Sequence, residues 1–129
     1  MIKAKKSLGQ NFLIDQNIID KITNLIEIRN KSVLEVGPGT GNLTSSILKR
    51  GPKKIYVVEK DNNLATKLNE EFKNQIIMIN DDILNINENF ISDEQLIVFG
   101  NLPYNISTEI LSKWIISLKD NFWFECLIL

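Results

Sequence analysis

The chain has no histidine and one cysteine, Cys126, in 129 residues. These scarcities exclude an internal disulfide, a cysteine-based metal cluster, a histidine zinc site and a histidine general base, so no metal is expected. Cys126 reads as strand packing. There is no run of about 18 apolar residues and hence no transmembrane helix. The charged start Met1, Ile2, Lys3, Ala4, Lys5, Lys6 has no apolar stretch behind it to make a signal peptide, so a cytoplasmic location without a membrane partner is expected. Charge of one sign is lacking too. A formal net charge of -1 argues against a domain that grips nucleic acid through its overall field. Local patches remain at Lys3, Lys5 and Lys6 and at Lys49, Arg50, Lys53 and Lys54, with solvated surface lysine as the simpler reading of each.

What is present is an ordinary globular balance, 43% hydrophobic and 24% charged, over a length that suits one domain, residues 1–129. Ser7 to Leu13 show no clear period and read as a loop. From Asp15, a plausible N-cap, Ile18, Ile19, Ile22, Leu25 and Ile26 recur at helical spacing and predict a helix ending near Ile28. Residues 32–36 form a β-rich run. A helix through Leu43, Ile47 and Leu48 then stops at Lys49 and Arg50, before Gly51 and Pro52. Strands follow at 55–58, 76–79 and 95–99, with a helix through Leu64, Ala65, Leu68 and Phe72 after the first of them. Residues 83–94 read as irregular. Ile110, Leu111, Trp114, Ile115 and Leu118 trace a further helix, and 122–129 a fifth apolar strand. Alternating strands and helices imply βαβ units, so the expected fold class is α/β, doubly wound, on a mostly parallel sheet. Because the chain ends inside an expected buried strand, a domain truncated after its fifth strand is expected.

Three successive strand ends carry residues with chemistry. Glu35, Val36, Gly37, Pro38, Gly39, Thr40 and Gly41 join the first strand to its helix, and the glycines let backbone approach a ligand closely. A dinucleotide fingerprint wants Gly or Ala where Asn42 stands, and the Lys-Ser/Thr ending of a phosphate-binding Walker loop is absent. Glu59 ends the second strand, 20 residues beyond Gly39, where a carboxylate accepts from ribose hydroxyls. Asp82, past the third strand, is placed to accept from an adenine amino group, with Asp81 as its competitor. Together they describe a pocket for an adenosyl compound. S-adenosyl-L-methionine suits it better than a dinucleotide, because Glu35, Glu59 and Asp82 welcome positive charge and repel a pyrophosphate. Glu35 has an equally good reading as a structural group that orients the glycine loop.

The fourth strand runs into Asn101, Leu102, Pro103 and Tyr104, at the end of the sheet where open α/β folds bind ligands. There the Asn101 amide oxygen and the Pro103 carbonyl can accept from the exocyclic amino group of a planar base, and Tyr104 can stack on its face. That combination points to methyl transfer onto that nitrogen.

With these motifs assembled, the sequence resembles the ribosomal RNA adenine dimethyltransferase family, which in bacteria modifies two adjacent adenosines near the end of small-subunit (16S) rRNA. The resemblance runs from about Lys5 to Leu129. It rests on Gln10-Asn11-Phe12-Leu13, on the 35–41 run, on Glu59 and Asp82, and on Asn101-Leu102-Pro103-Tyr104-Asn105-Ile106-Ser107-Thr108. It implies a Rossmann-like class I S-adenosyl-L-methionine-dependent methyltransferase. In it Asn11 and Leu13 cover the methionine side of the cofactor, Gly37 lies in the cofactor loop, Glu59 and Asp82 hold ribose and adenine, and Asn101 meets both cofactor and target. The implied partner is small-subunit rRNA in the pre-30S subunit, and a monomer is expected. The family's domain continues past this chain into two more strands, a substrate-side aromatic motif and a small helical domain. Weak or absent rRNA methylation is therefore expected of 129 residues alone. Two alternatives are a methyltransferase acting on large-subunit rRNA or DNA adenine, and a non-catalytic RNA-binding or ribosome-assembly protein.

Overall fold

Asp15 sits in extended backbone and its side chain accepts from the Asn17 N–H at 2.9 Å, so helix α1 (Gln16–Thr23) begins where the sequence predicts. It is the first element of a computed structural model that describes residues 15–88, 91–100, 104–117 and 124–128, with side chains in the last two stretches only for 108–114. The helix stops at Thr23 instead of near Ile28. The Thr23 hydroxyl turns back onto the carbonyls of Ile19 and Asp20, both at 3.2 Å, and meets Ser46 Oγ at 3.0 Å, while the Asn24 N–H closes the last turn on Asp20 and Lys21. Leu25, expected on the buried face, is consequently 69% exposed. Ile28 is still buried, held by a turn in which the Lys31 N–H bonds its carbonyl.

Five short strands form one sheet: β1 (Ser32–Val36), β2 (Lys54–Val58), β3 (Ile77–Ile79), β4 (Leu96–Gly100) and β5 (Phe124–Ile128), in the order β3-β2-β1-β4-β5. Every pairing is parallel. Helices α2 (Asn42–Leu48), α3 (Asn62–Phe72) and α4 (Tyr104–Ser117) connect them. Strand β1 is central and buried at all its positions, as a parallel sheet covered on both faces requires.

The two-residue period of the strands sorts the core into two layers. Val33, Ile55, Val57, Ile97 and Phe99 pack with Ile19 of α1, Leu43 and Ile47 of α2 and Leu68 and Phe72 of α3. Leu34, Val36, Tyr56, Val58, Leu96 and Val98 pack on the opposite face with Ile83 and with Ile110 and Trp114 of α4. The doubly wound arrangement follows, with helices on both faces. Leu111 stands one position off the α4 stripe and is 37% exposed, against expectation, while Ile110 and Trp114 are sealed. Leu118, the side chain of Ile115, and residues 122, 123 and 129 of the expected fifth strand lie outside the described residues. Edge strand β3 is one residue shorter than expected: Ile76 is buried before it and Ile77 is 44% exposed.

After β3 the chain returns to the far side of β1 to form β4, so the direction of strand addition reverses between β1 and β4. Their carboxyl ends flank the switch point, where open α/β sheets bind ligands. The described part of the segment between β3 and β4 holds a 3₁₀ turn at Ile83–Asn85, and Ile83 and Glu88 within it are buried. Among the described residues no helix is long and apolar enough to cross a membrane.

Candidate active site

Register brings the strand ends level. Val36 pairs with Val58 and with Gly100, and Val58 pairs with Ile79. The residues that follow, Gly37, Glu59 and Asn80, therefore emerge side by side, with neighbouring strands about 5 Å apart. Two bonds extend the ladder one step past the strands, from the Gly37 N–H to the Val58 carbonyl and from the Glu59 N–H to the Ile79 carbonyl, both at 3.0 Å.

The glycine turn has two functions. Gly41, at φ +91°, precedes α2, and a Cβ on it would lie 2.9 Å from Leu68 Cδ2 and 3.0 Å from Phe72 Cε2. Only a bare backbone lets α2 start this close to α3. Gly39 differs: at φ +58° a Cβ would meet nothing within 4 Å, so this part of the turn borders open space.

Glu35, on the α1–α3 face of β1, is 1% exposed. Its Oε1 accepts a short hydrogen bond from Thr44 Oγ1 of α2, and Oε2 has no partner among the described residues. Burial pushes its carboxyl from the ordinary 4.5 up to about 7, against the lowering effect of the Thr44 hydroxyl and with a further push from the Glu59 charge. Of its two sequence readings, the Thr44 bond bears on the structural one, since it ties β1 to α2 across the glycine turn.

Glu59 is 8% exposed. Its Oε2 accepts from the Asp61 N–H at 2.9 Å, and its carbonyl accepts from Asn80 Nδ2 at 2.9 Å. Asp61 in turn caps α3, accepting from the Asn63 and Leu64 N–H groups. The Glu59 side chain is thus set by its own turn, and Asn80, which sequence reasoning missed, ties the ends of β2 and β3. A polar residue directly after a third strand was the signal for it.

Asp82 is half-buried; its Oδ1 accepts from the Leu84 N–H at 3.0 Å and its Oδ2 lies 3.6 Å from Lys60 Nζ. Asp81 is exposed, with Oδ1 turned onto the Asp82 N–H. Of the second basic patch, Arg50 bonds Asn24 Oδ1 and Lys53 pairs with Glu94 at 2.9 Å, so two of its four cations are engaged within the chain.

The structure therefore places Gly37, Glu59 and Asp82 beyond the carboxyl ends of the neighbouring strands β1, β2 and β3. Asn11, Leu13, Asn101 and Pro103 lie outside the described residues, while Tyr104 opens α4, its side chain likewise outside them. Gly100, the last residue of β4, pairs with Val36 beside the glycine turn, so the 101–104 motif leaves the sheet at that point. Glu88, Lys113 and Trp114 form a buried polar cluster that sequence reasoning also missed. A lysine adjoining the apolar stripe of a helix was its only sequence trace.

The protein-family model for ribosomal RNA adenine dimethylase matches residues 1–126. Ribosomal RNA small subunit methyltransferase A of Pelagibacter ubique (strain HTCC1062) is 63% identical over 128 residues, covering 99% of this chain and 49% of that protein. The protein of the same name from Mycoplasmopsis synoviae (strain 53) is 45% identical over 121 residues, 93% of this chain and 45% of the relative. The chain spans about half the length of the curated relatives it matches. Among solved structures, the 23S rRNA methyltransferase ErmE superposes with a TM-score of 0.70 at 31% identity, over 81% of this chain and 43% of that one. A dimethyladenosine transferase from Plasmodium falciparum gives 0.70 at 27% identity, over 88% and 40%.

Proposed function

Since the chain belongs to the ribosomal RNA adenine dimethylase family and has the Rossmann-like fold of class I S-adenosylmethionine-dependent methyltransferases, we propose that it methylates the exocyclic amino nitrogen of adenosines in small-subunit rRNA. The target is two adjacent adenosines, dimethylated in the cytoplasm on the pre-30S particle by a monomeric enzyme. The observation that carries this reading is the level register of β1, β2, β3 and β4, which sets the glycine turn, Glu59 and Asp82 beside the strand that leads into Asn101.

The residues present fit S-adenosylmethionine. Gly39 borders open space, Glu35 Oε2 is a buried oxygen without a partner among the described residues, and the site is rich in carboxylates. Glu59 would accept from the ribose hydroxyls, for which its turn pre-orients it, and Asp82 would accept from the adenine amino group through Oδ2, which Lys60 approaches only at 3.6 Å. Asp82, half-buried, is favoured over the exposed Asp81. Asn11 and Leu13 would cover the methionine side, and Gly37 would lie in the cofactor loop. When bound, the cofactor supplies an electrophilic methyl carbon on a sulfonium.

The chain's own contribution is to hold the nucleophile. An adenine amino group is a poor one because its lone pair is conjugated with the ring. Acceptors at the Asn101 side chain and the Pro103 carbonyl favour a pyramidal nitrogen and expose that pair. Tyr104 stacks on the unstacked base, replacing the contacts it loses on leaving the RNA helix. No strong base is needed, since the nitrogen turns acidic once alkylated and its proton leaves to water. Orientation supplies most of the acceleration.

The likeness to ErmE favours a second reading, in which large-subunit rRNA is the target. Transfer of labelled methyl groups to unmethylated small subunits, to large-subunit rRNA and to naked DNA separates the readings. Label on small subunits alone is expected. Label confined to either other substrate overturns the substrate assignment, and cofactor binding without transfer to any of them supports an assembly role.

A further inference from the structure

Residues 83–88 carry few buried apolar groups: Ile83 is buried, and Leu84 and Ile86 only partly so. Polar contacts hold them as well. Lys113 Nζ, on α4, donates to the Ile83 and Ile86 carbonyls at 2.5 Å each and to Glu88 Oε2 at 2.9 Å. An ammonium has three protons, so its whole donor capacity is directed at this one segment. The same Glu88 oxygen accepts from Trp114 Nε1 at 2.7 Å. Glu88 is 3% exposed and Trp114 fully buried.

The segment begins at Asp82, whose carboxylate is oriented by the Leu84 N–H inside it. On the other side, α4 is one continuous helix from Tyr104 to Lys113, about 13.5 Å at 1.5 Å per residue. We infer that Glu88, Lys113 and Trp114 are positioning residues that fix the Asp82 segment against the helix carrying Tyr104, and so set the cofactor side of the site relative to the target side. The inference rests on the reading of Asp82 as a cofactor ligand. A buried ion pair is a weak source of net stability compared with apolar packing of the same shape, but its directional bonds admit one register. Sliding α4 by a turn would take Lys113 from its three acceptors and leave Glu88 buried without partners, so the two halves of the site are locked together.

The test uses the intact protein, with Lys113→Met, Glu88→Gln and Trp114→Phe, a distant core variant Ile28→Val as control for lost stability, and Glu59→Ala as control for the cofactor site. Affinity for S-adenosylmethionine is measured by calorimetry, the Leu84 amide by hydrogen exchange, and the melting temperature alongside. Lys113→Met is expected to weaken cofactor binding about tenfold and speed Leu84 exchange by a similar factor, with smaller effects in Glu88→Gln, which keeps an acceptor for the indole. Ile28→Val should lower the melting temperature and change neither. A Lys113→Met protein that melts earlier but binds and exchanges like wild type overturns the inference. If Glu59→Ala also leaves affinity unchanged, the cofactor assignment is what fails, and Leu84 exchange alone then decides for or against the clamp.

Discussion

Between pH 4.5 and pH 8, Glu35 is expected to withdraw about 3 kcal/mol from the stability of the fold. The group is 1% exposed and its carboxyl is raised from 4.5 to about 7, so the folded chain holds this proton more tightly than the unfolded chain does. A carboxyl raised on folding contributes its stability below the unfolded value and loses it as pH climbs to the folded value. The relevant window is therefore 4.5 to about 7, with no further change above it. At about 1.4 kcal/mol per pH unit, the interval amounts to roughly 3 kcal/mol, a large part of the stability of a small domain.

The assay is urea unfolding of wild type and Glu35→Gln at half-unit steps from pH 4.5 to 8.5. Other titrating groups cancel in the difference between the two proteins. Glutamine keeps an acceptor for Thr44 and cannot ionise, so the variant should gain on wild type by about 3 kcal/mol across the window and be the more stable protein at pH 8. A difference that stays flat with pH would refute the reasoning. So would one that grows as pH falls, which would mean the carboxylate is stabilised by a partner in place of being desolvated.

Three further expectations follow from the same geometry. Cofactor binding at pH 7 should release a fraction of a proton, because a cationic ligand near Glu35 favours its ionised form; calorimetry in buffers of different ionisation enthalpy reads this, and its absence in Glu35→Gln assigns it. Glu59→Ala should chiefly weaken cofactor binding, while Asn101→Ala should chiefly slow turnover, and single-turnover rates alongside binding would expose an exchange of these roles. Gly41→Ala should destabilise the fold by about 2–4 kcal/mol, through overlap with Leu68 and Phe72 at a positive φ, against roughly 1 kcal/mol for Gly39→Ala, where only the backbone conformation is strained; thermal melts that reverse this ranking would contradict the tight α2–α3 approach.

Strand periodicity made the sheet legible in sequence, because five apolar runs, most of them separated by amphipathic helices, leave few other topologies. The strand order was not written there in the same way, since it depends on how the chain returns past β1 after β3. Helix ends were harder. Leu25 and Ile26 continue the α1 period on paper, yet the helix ends before them at Thr23, whose hydroxyl is bonded back to the preceding turn and across to Ser46. Glu59 and Asp82 were readable from their places at strand ends. Glu88 was not, because a glutamate in an Asn-rich connection looks solvated until Lys113 and Trp114, 25 and 26 residues later, are folded over it.

The acids at the strand ends are graded by burial, and that gradient bears on which ligand they admit. Glu35 is sealed, its carboxyl raised by burial to about 7, Glu59 is 8% exposed, and the Asp82 side chain is 28% exposed. Among the described residues the cation paired with this group is Lys60, 79% exposed and already facing Asp82. A pyrophosphate entering here would add negative charge beside Glu59 and force Glu35 to keep its proton. A sulfonium and an amino group do the reverse: they relieve the repulsion that Glu59 exerts on Glu35 and draw the buried carboxyl toward its charged form. If S-adenosylmethionine binds as proposed, its preference over an uncharged analogue should weaken as pH falls below about 7 and Glu35 becomes neutral. Competition between S-adenosylmethionine and the uncharged thioether S-adenosylhomocysteine across pH 6 to 8 measures this, and a preference that does not change over that range would show that Glu35 takes no part in the discrimination.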